Sequence, residues 1–174
     1  MTPSIRLLAA FAVASLPLVP VSSAQDHPMM PPGMTHEQHM ALMKQHGQTA
    51  MGFDQDKATH HFTLTTNGGT IQVTVVDPAD QVTHDEIQTH LREIAAAFGR
   101  GDFKKPLLTH GEVPPGVSEM QSHKDEITYT YEGLENGGLV RIATSNADAL
   151  NAIHAFLQYQ IREHVTGDPM TVQQ

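Results

Sequence analysis

The sequence contains no cysteine and few basic residues, and both shortages exclude classes of function. Without cysteine there is no disulfide, no thiolate zinc site, no cysteine nucleophile and no lipid attachment at a processed N-terminal cysteine. Ten lysines and arginines against 19 aspartates and glutamates give a formal net charge of −9. Such a charge argues against nucleic acid or anionic lipid as a partner and favours a cationic ligand.

Motifs of the common hydrolases and nucleotide-binding enzymes are also missing. Beyond residue 24 the serines are Ser118, Ser122 and Ser145, and none of them lies in a G-x-S-x-G motif. There is no glycine-rich loop of the kind that binds phosphate. The segment HEQH at 36–39 is one residue shorter than the H-E-x-x-H motif of zinc proteases, so protease chemistry is rejected.

Residues 1–24 have the pattern of a secretory signal peptide. Arg6 provides a positive start, residues 7–18 are apolar, and VSSA at 21–24 is a small-residue cleavage site. The apolar run is too short to span a bilayer, and no later stretch is apolar enough to do so. We therefore expect a periplasmic protein whose mature chain begins near Gln25, has no membrane span and is long enough for one domain.

The segment that follows the signal, from Asp26 to Phe53, is rich in both methionine and histidine. Thioether sulfur and imidazole nitrogen, in the absence of thiolates, favour copper and above all Cu(I), with zinc or nickel as alternatives. The candidate metal ligands in this segment are Met29, Met30, Met34, His36, His39, Met40, Met43 and His46.

Part of this segment is predicted to be a short helix. Thr35 and Gln38 form a capping-box pattern at its start, and Gly47 is the expected end. The candidate ligands within it recur at spacings of three and four residues, which places them on one stripe of the helix. The alternative interpretation is an amphipathic helix that docks Met40 and Met43 against the domain.

From about residue 59 the sequence follows one pattern twice. In each half an alternating strand, an Asn-Gly-Gly turn and a return strand precede an amphipathic helix. Aligning the helices places Ile87 over Ile153 and Leu91 over Leu157. We therefore predict an α+β fold in which duplicated β-β-α units form a four-stranded antiparallel sheet with two helices on one face, preceded by the short Met/His-rich helix.

The predicted organisation has three parts. A signal peptide is followed by a flexible Met/His-rich segment and then by the duplicated domain, whose halves are joined by a long irregular crossover. The boundaries are 1–24 for the signal, 25–58 for the segment, 59–169 for the domain, 59–99 and 126–166 for its halves, and 100–125 for the crossover.

Four further candidate ligands lie in the predicted domain. His60 and His61 are neighbours in a strand and point to opposite faces, with His60 on the apolar face and His61 towards solvent. His110 and Met120, in the crossover, could complete a mixed His/Met site with this pair. The alternative is one packed and one surface histidine.

In residues 26–53, with His60 and His61 as possible additions, the composition resembles that of periplasmic copper-handling proteins. The resemblance implies an exported protein that binds copper for tolerance, buffering or delivery, and that passes it to a periplasmic or membrane copper-transfer partner. It does not extend to the cupredoxins, since the domain contains two helices and there is no cysteine for a blue-copper centre.

Two other functions remain open at this point. One is a structural or interaction module in which histidine and methionine are incidental. The other is a small metal-dependent enzyme with His60, His61 and His110 as ligands and an open position for substrate. Because no general base or substrate pocket can be named, no catalytic residue is predicted.

Overall fold

The computed structural model describes residues 33–174, which form a four-stranded antiparallel sheet and five helices. The elements are α1 (His36–Met51), β1 (Ala58–Thr65), β2 (Gly68–Val75), α2 (Gln81–Gly99), α3 (Lys104–His110), α4 (Val117–Ser122), β3 (Ile127–Leu134), β4 (Gly137–Thr144) and α5 (Ala147–Glu163). Within this part of the chain no helix is long and apolar enough to cross a membrane. The predicted signal peptide, Met29 and Met30 lie outside the described residues.

The sheet order is β1-β2-β4-β3, so both hairpins belong to one sheet and the predicted fold class is confirmed. The central pair is antiparallel, with Ile71 of β2 opposite Val140 of β4. Phe62 and Tyr131 extend this row to the two edge strands. Alternation along each strand therefore gives one apolar face, on which the helices pack.

Each long helix crosses over to cover the other unit's hairpin. α2 packs chiefly against β3 and β4, and α5 packs against β1 and β2. Leu157 of α5 lies directly above Gly69 of β2, and Leu91 of α2 lies above Gly138 of β4. Because each long helix packs on strands of both hairpins, the two units share one core.

The equivalent helix positions Gln88 and His154 each fix the other unit's hairpin turn. Gln88 Nε2 donates to the carbonyl oxygen of Gly137 at 3.2 Å. His154 Nε2 lies 2.9 Å from the carbonyl oxygen of Thr65 and 3.0 Å from that of Gly68. Since a carbonyl accepts, this nitrogen of His154 is a donor. His154 thus has a structural role.

The first helix is longer than predicted. The capping box is present, with the Gln38 N–H donating to Thr35 Oγ1 at 3.2 Å. The helix, however, continues through Gly47 and ends at Gly52, which has the left-handed φ of 81°. Gly47 is buried against the side chain of Gln55, where a Cβ would not fit. Glycine at position 47 therefore allows close packing, and the prediction that the helix ends at this residue was wrong.

The crossover between the halves is not irregular as predicted, since it contains α3 and α4. These helices have only seven and six residues, which is too short to show a hydrophobic period. α3 ends at Gly111 with a left-handed φ of 74°, and α4 packs on α5 with Met120 fully buried.

Replacing Asn146 with alanine is expected to lower the free energy of unfolding by about 1 kcal/mol. Asn146 caps α5, because its Oδ1 accepts from the N–H groups of Asp148 at 2.9 Å and Ala149 at 3.0 Å. Urea denaturation measures the change. Asn146→Ser keeps a capping oxygen and should lose less stability, so equal losses in the two variants would contradict this explanation.

Candidate metal centre

Four histidines from distant parts of the sequence line one cavity of about 60 Å³. His60 comes from β1, His90 from α2, His110 from the end of α3, and His164 directly follows α5. We call these four residues the histidine cluster. Met51 lines the same cavity, so a methionine and four histidines meet at one place.

His164 lies in the middle of the cluster. Its ring centre is 5.1 Å from that of His60 and 5.3 Å from that of His110. With metal–nitrogen bonds of about 2.1 Å, two imidazoles on one ion have ring centres roughly 5 Å apart. The ring-centre distances therefore match those of imidazoles on a shared ion, but His60 and His164 are stacked with their planes 20° apart, so a ring must rotate before both lone pairs point at one ion.

The cluster is not a ready-made site for a hard or four-coordinate metal. Among the side chains that the structure describes, no group of three histidines, aspartates or glutamates is arranged to hold a metal ion. A metal in this cavity therefore needs a thioether as a ligand or a rotation of the imidazole rings.

Burial keeps three of the cluster histidines, His60, His90 and His164, in the neutral form. It lowers the pKa of His60 to about 4, with a further contribution from His61. It lowers the pKa of His90 to about 3, assisted by the positive charge of Lys105. The pKa of His164 is also well below its usual range because of burial. Neutral imidazoles have a lone pair available to a metal at neutral pH.

Hydrogen bonds orient two of the rings. His110 Nε2 lies 3.0 Å from Gln160 Oε1, and because an amide oxygen accepts, this nitrogen donates and Nδ1 carries the lone pair. His90 is hydrogen-bonded to the backbone of Met51. His90 Nδ1 is buried and has no hydrogen-bond partner in residues 33–174. A buried polar nitrogen without a partner is uncommon and suggests that a ligand binds there.

The Met/His-rich helix α1 borders this cluster. It packs against α3, where Lys105 Nζ donates to the carbonyl oxygen of Ala50 at 3.1 Å. Ala41 and Lys44 of α1 line a cleft of about 510 Å³ together with His60 and His164. The two parts of the chain that are rich in candidate ligands are therefore neighbours.

His60 and His61 point to opposite faces of β1, as the strand geometry predicts. His61 is exposed, and its Nδ1 lies 3.0 Å from Asp168 Oδ1. Asp168 Oδ2 also accepts from the Phe62 N–H at 2.9 Å and from Thr166 Oγ1 at 2.6 Å. His61 thus belongs to the attachment of the C-terminal segment, away from the cavity.

The structure brings together only part of the predicted ligand set. His60 and His110 meet in the cluster. Met120, which belongs to α4, is buried but does not line the cavity. His46 is exposed, and Met34 is half-buried just before α1. The other described candidates, all within α1, are His36, His39, Met40 and Met43.

Sequence reasoning missed three residues of this cavity, Met51, His90 and His164. His90 lies beside the apolar stripe of its helix, and His164 lies at a helix end where the dipole favours histidine. The internal duplication contained a usable signal, because it aligns both of these histidines with phenylalanines. Comparison with protein-family models, curated proteins and solved structures finds no match for this chain.

Proposed function

We propose that this is an exported metal-binding protein that takes up copper through methionine and histidine ligands, for tolerance, buffering or delivery. The observation that carries the proposal is the position of α1, which holds much of the Met/His-rich segment, beside the histidine cluster, in which the pKa values of His60, His90 and His164 are lowered. The signal-like pattern of residues 1–24 supports export.

The chemistry of the ligands favours Cu(I). Thioethers and neutral imidazoles bind a soft monovalent ion well, whereas zinc prefers four ligands in a tetrahedral arrangement. We assign first capture of Cu(I) to the methionines, and binding of Cu(II), or retention during transfer, to the histidines of α1. The net charge of −9 attracts cations to the protein. A periplasmic or membrane copper-transfer partner would receive the ion.

Replacing the five methionines between Gln25 and Lys44 with leucine is expected to weaken Cu(I) binding at least about tenfold, which is about 1.4 kcal/mol. Leucine has nearly the volume of methionine but no sulfur, so the variant should fold normally. Titration against a competing Cu(I) chelator measures the affinity. The five positions are Met29, Met30, Met34, Met40 and Met43.

Met170→Leu is the matched control, because it makes the same chemical change outside the segment and should leave Cu(I) affinity unchanged. Parallel titrations with Cu(II) and Zn(II) establish the selectivity. If the unaltered protein retains no copper at a slight metal excess, the proposed function is wrong.

A further inference from the structure

We infer that the histidine cluster is a second, interior Cu(I) site, in which Met51 and two of the imidazoles of His60, His90 and His164 bind one ion. This inference rests on the proposed function only in taking copper as the metal. It assigns the ion to the cavity of the folded domain, to which the Met/His-rich segment contributes only Met51, near its end.

The internal duplication shows which residues the fold requires at these positions. Aligning the two hairpin turns places His60 over Tyr129, and aligning α2 with α5 places His90 over Phe156 and Phe98 over His164. Every one of the three histidines thus has an aromatic counterpart in the other half of the same core.

The aromatic counterparts pack closely against one another. Phe98 makes edge contacts with both Tyr129 and Phe156, each at 5.8 Å between ring centres. Phe103 stacks on Phe98 at 4.3 Å, and both Phe98 and Phe156 are almost completely buried. Apolar rings therefore fill the positions equivalent to His90 and His164, and packing by itself does not call for imidazole there.

Imidazoles at these positions also carry an energetic cost. His90 is 8% exposed, and its Nδ1 has no hydrogen-bond partner in the described part of the chain. A phenylalanine there would avoid that cost, since it has no polar atom to bury. A bound cation accepts the lone pair and thus accounts for a polar ring where the other half of the core has an apolar one.

Met51 supplies the sulfur ligand at the same place. It is 8% exposed and lines the cavity, and its backbone forms a hydrogen bond with His90. One residue therefore orients an imidazole and presents a thioether beside it. A cavity of about 60 Å³ is large enough for an ion, since roughly 10–15 Å³ is enough for a water molecule.

The ligand set selects Cu(I) over a divalent metal. The described side chains provide no group of three nitrogen or oxygen ligands around one point, which a tetrahedral zinc site would need. A soft ion is satisfied by thioether and imidazole together. Glu163, 3% exposed, lines the adjoining cleft with His60 and His164.

The test exchanges each histidine for its counterpart in the full chain, as His60→Tyr, His90→Phe and His164→Phe. Native mass spectrometry and titration against a chelator count bound Cu(I), and X-ray absorption reports nitrogen and sulfur ligands. We expect the triple variant to lose one equivalent of Cu(I) that the unaltered protein binds. His123→Phe is the matched control outside the cluster and should lose none.

A second variant decides the outcome if the triple variant does not fold. In the protein with the five methionines between Gln25 and Lys44 replaced by leucine, one equivalent of Cu(I) should remain. Adding Met51→Leu to that protein should weaken the affinity for this ion at least about tenfold. An unchanged affinity in that background overturns the interior site.

Failure of the inference and failure of the proposed function give different results. If the triple variant folds and retains every equivalent of Cu(I), the interior site is wrong while copper binding by the segment stands. If the unaltered protein binds no copper, the proposed function fails and this copper site fails with it.

Discussion

Replacing Gly137 with alanine is expected to lower the free energy of unfolding by about 3 kcal/mol or more. Gly137 begins β4 with a φ of 157°, and a Cβ there would collide with the carbonyl oxygen of Val73 and lie 2.8 Å from Thr74 Cα. Because the obstacle is the backbone of the neighbouring central strand, relief requires β2 and β4 to separate. Urea denaturation followed by circular dichroism measures the loss.

Two further glycine variants test the explanation. Gly68 is the counterpart of Gly137, has a φ of 152° and packs on the carbonyl oxygen of Ile142, so Gly68→Ala should cost a similar amount. Gly99 ends α2 with open space around it, and Gly99→Ala should be neutral or slightly stabilising. A loss below about 1 kcal/mol in Gly137→Ala would show that the strands can shift to admit the methyl group.

Acidification of the metal-free protein from pH 7 to pH 4 is expected to lower the free energy of unfolding by about 3 kcal/mol through His90 alone. Burial lowers the pKa of this histidine from 6.5 to about 3 in the folded protein. Between these two values the unfolded chain binds a proton that the folded protein excludes. The stability is therefore complete above about pH 6.5, falls as the pH falls, and levels off below about pH 3.

His60 adds to the same effect, since its pKa is lowered from 6.5 to about 4. The positive charge of Lys105 helps to lower the pKa of His90. The measurement is urea denaturation at a series of pH values in the presence of a chelator.

His90→Phe serves as the control for the titration, because phenylalanine cannot bind a proton. Between pH 6 and pH 4, the free energy of unfolding of this variant should fall less steeply than that of the unaltered protein. The slopes should differ by up to about 1.4 kcal/mol per pH unit, which corresponds to the uptake of one proton on unfolding. Carboxylates titrate equally in both proteins and cancel in the comparison. Identical slopes would mean that His90 is readily protonated in the folded state.

The sequence by itself determined the two β-β-α units and the single sheet. The Asn-Gly-Gly turns define the hairpins locally, and the apolar period of each helix defines its buried face. Ile87 and Ile153, like Leu91 and Leu157, are aligned in the sequence and are all almost completely buried. Such patterns are local and repeat within a few residues, so they can be identified without tertiary information.

Local patterns were insufficient where packing between elements decides the outcome. Glycine is typical of helix ends, but Gly47 lies inside α1, where the absence of a side chain allows Gln55 to pack closely. α3 and α4 are too short for a hydrophobic period, and they form because they pack on α1 and α5. Short helices depend on tertiary contacts, since propensity alone does not stabilise them.

The composition of the chain also supports the proposal of copper as the ligand, because imidazole and thioether groups without thiolate favour copper wherever they meet. Only the tertiary structure decided which of them meet. His60, His90, His110 and His164 are far apart in the sequence, and each one taken alone resembles an ordinary boundary histidine. They share a cavity because α5 crosses over the first hairpin and α3 packs beside α1. A hydrophobic period shows which face of an element is buried, but the element it is buried against depends on contacts between distant parts of the chain.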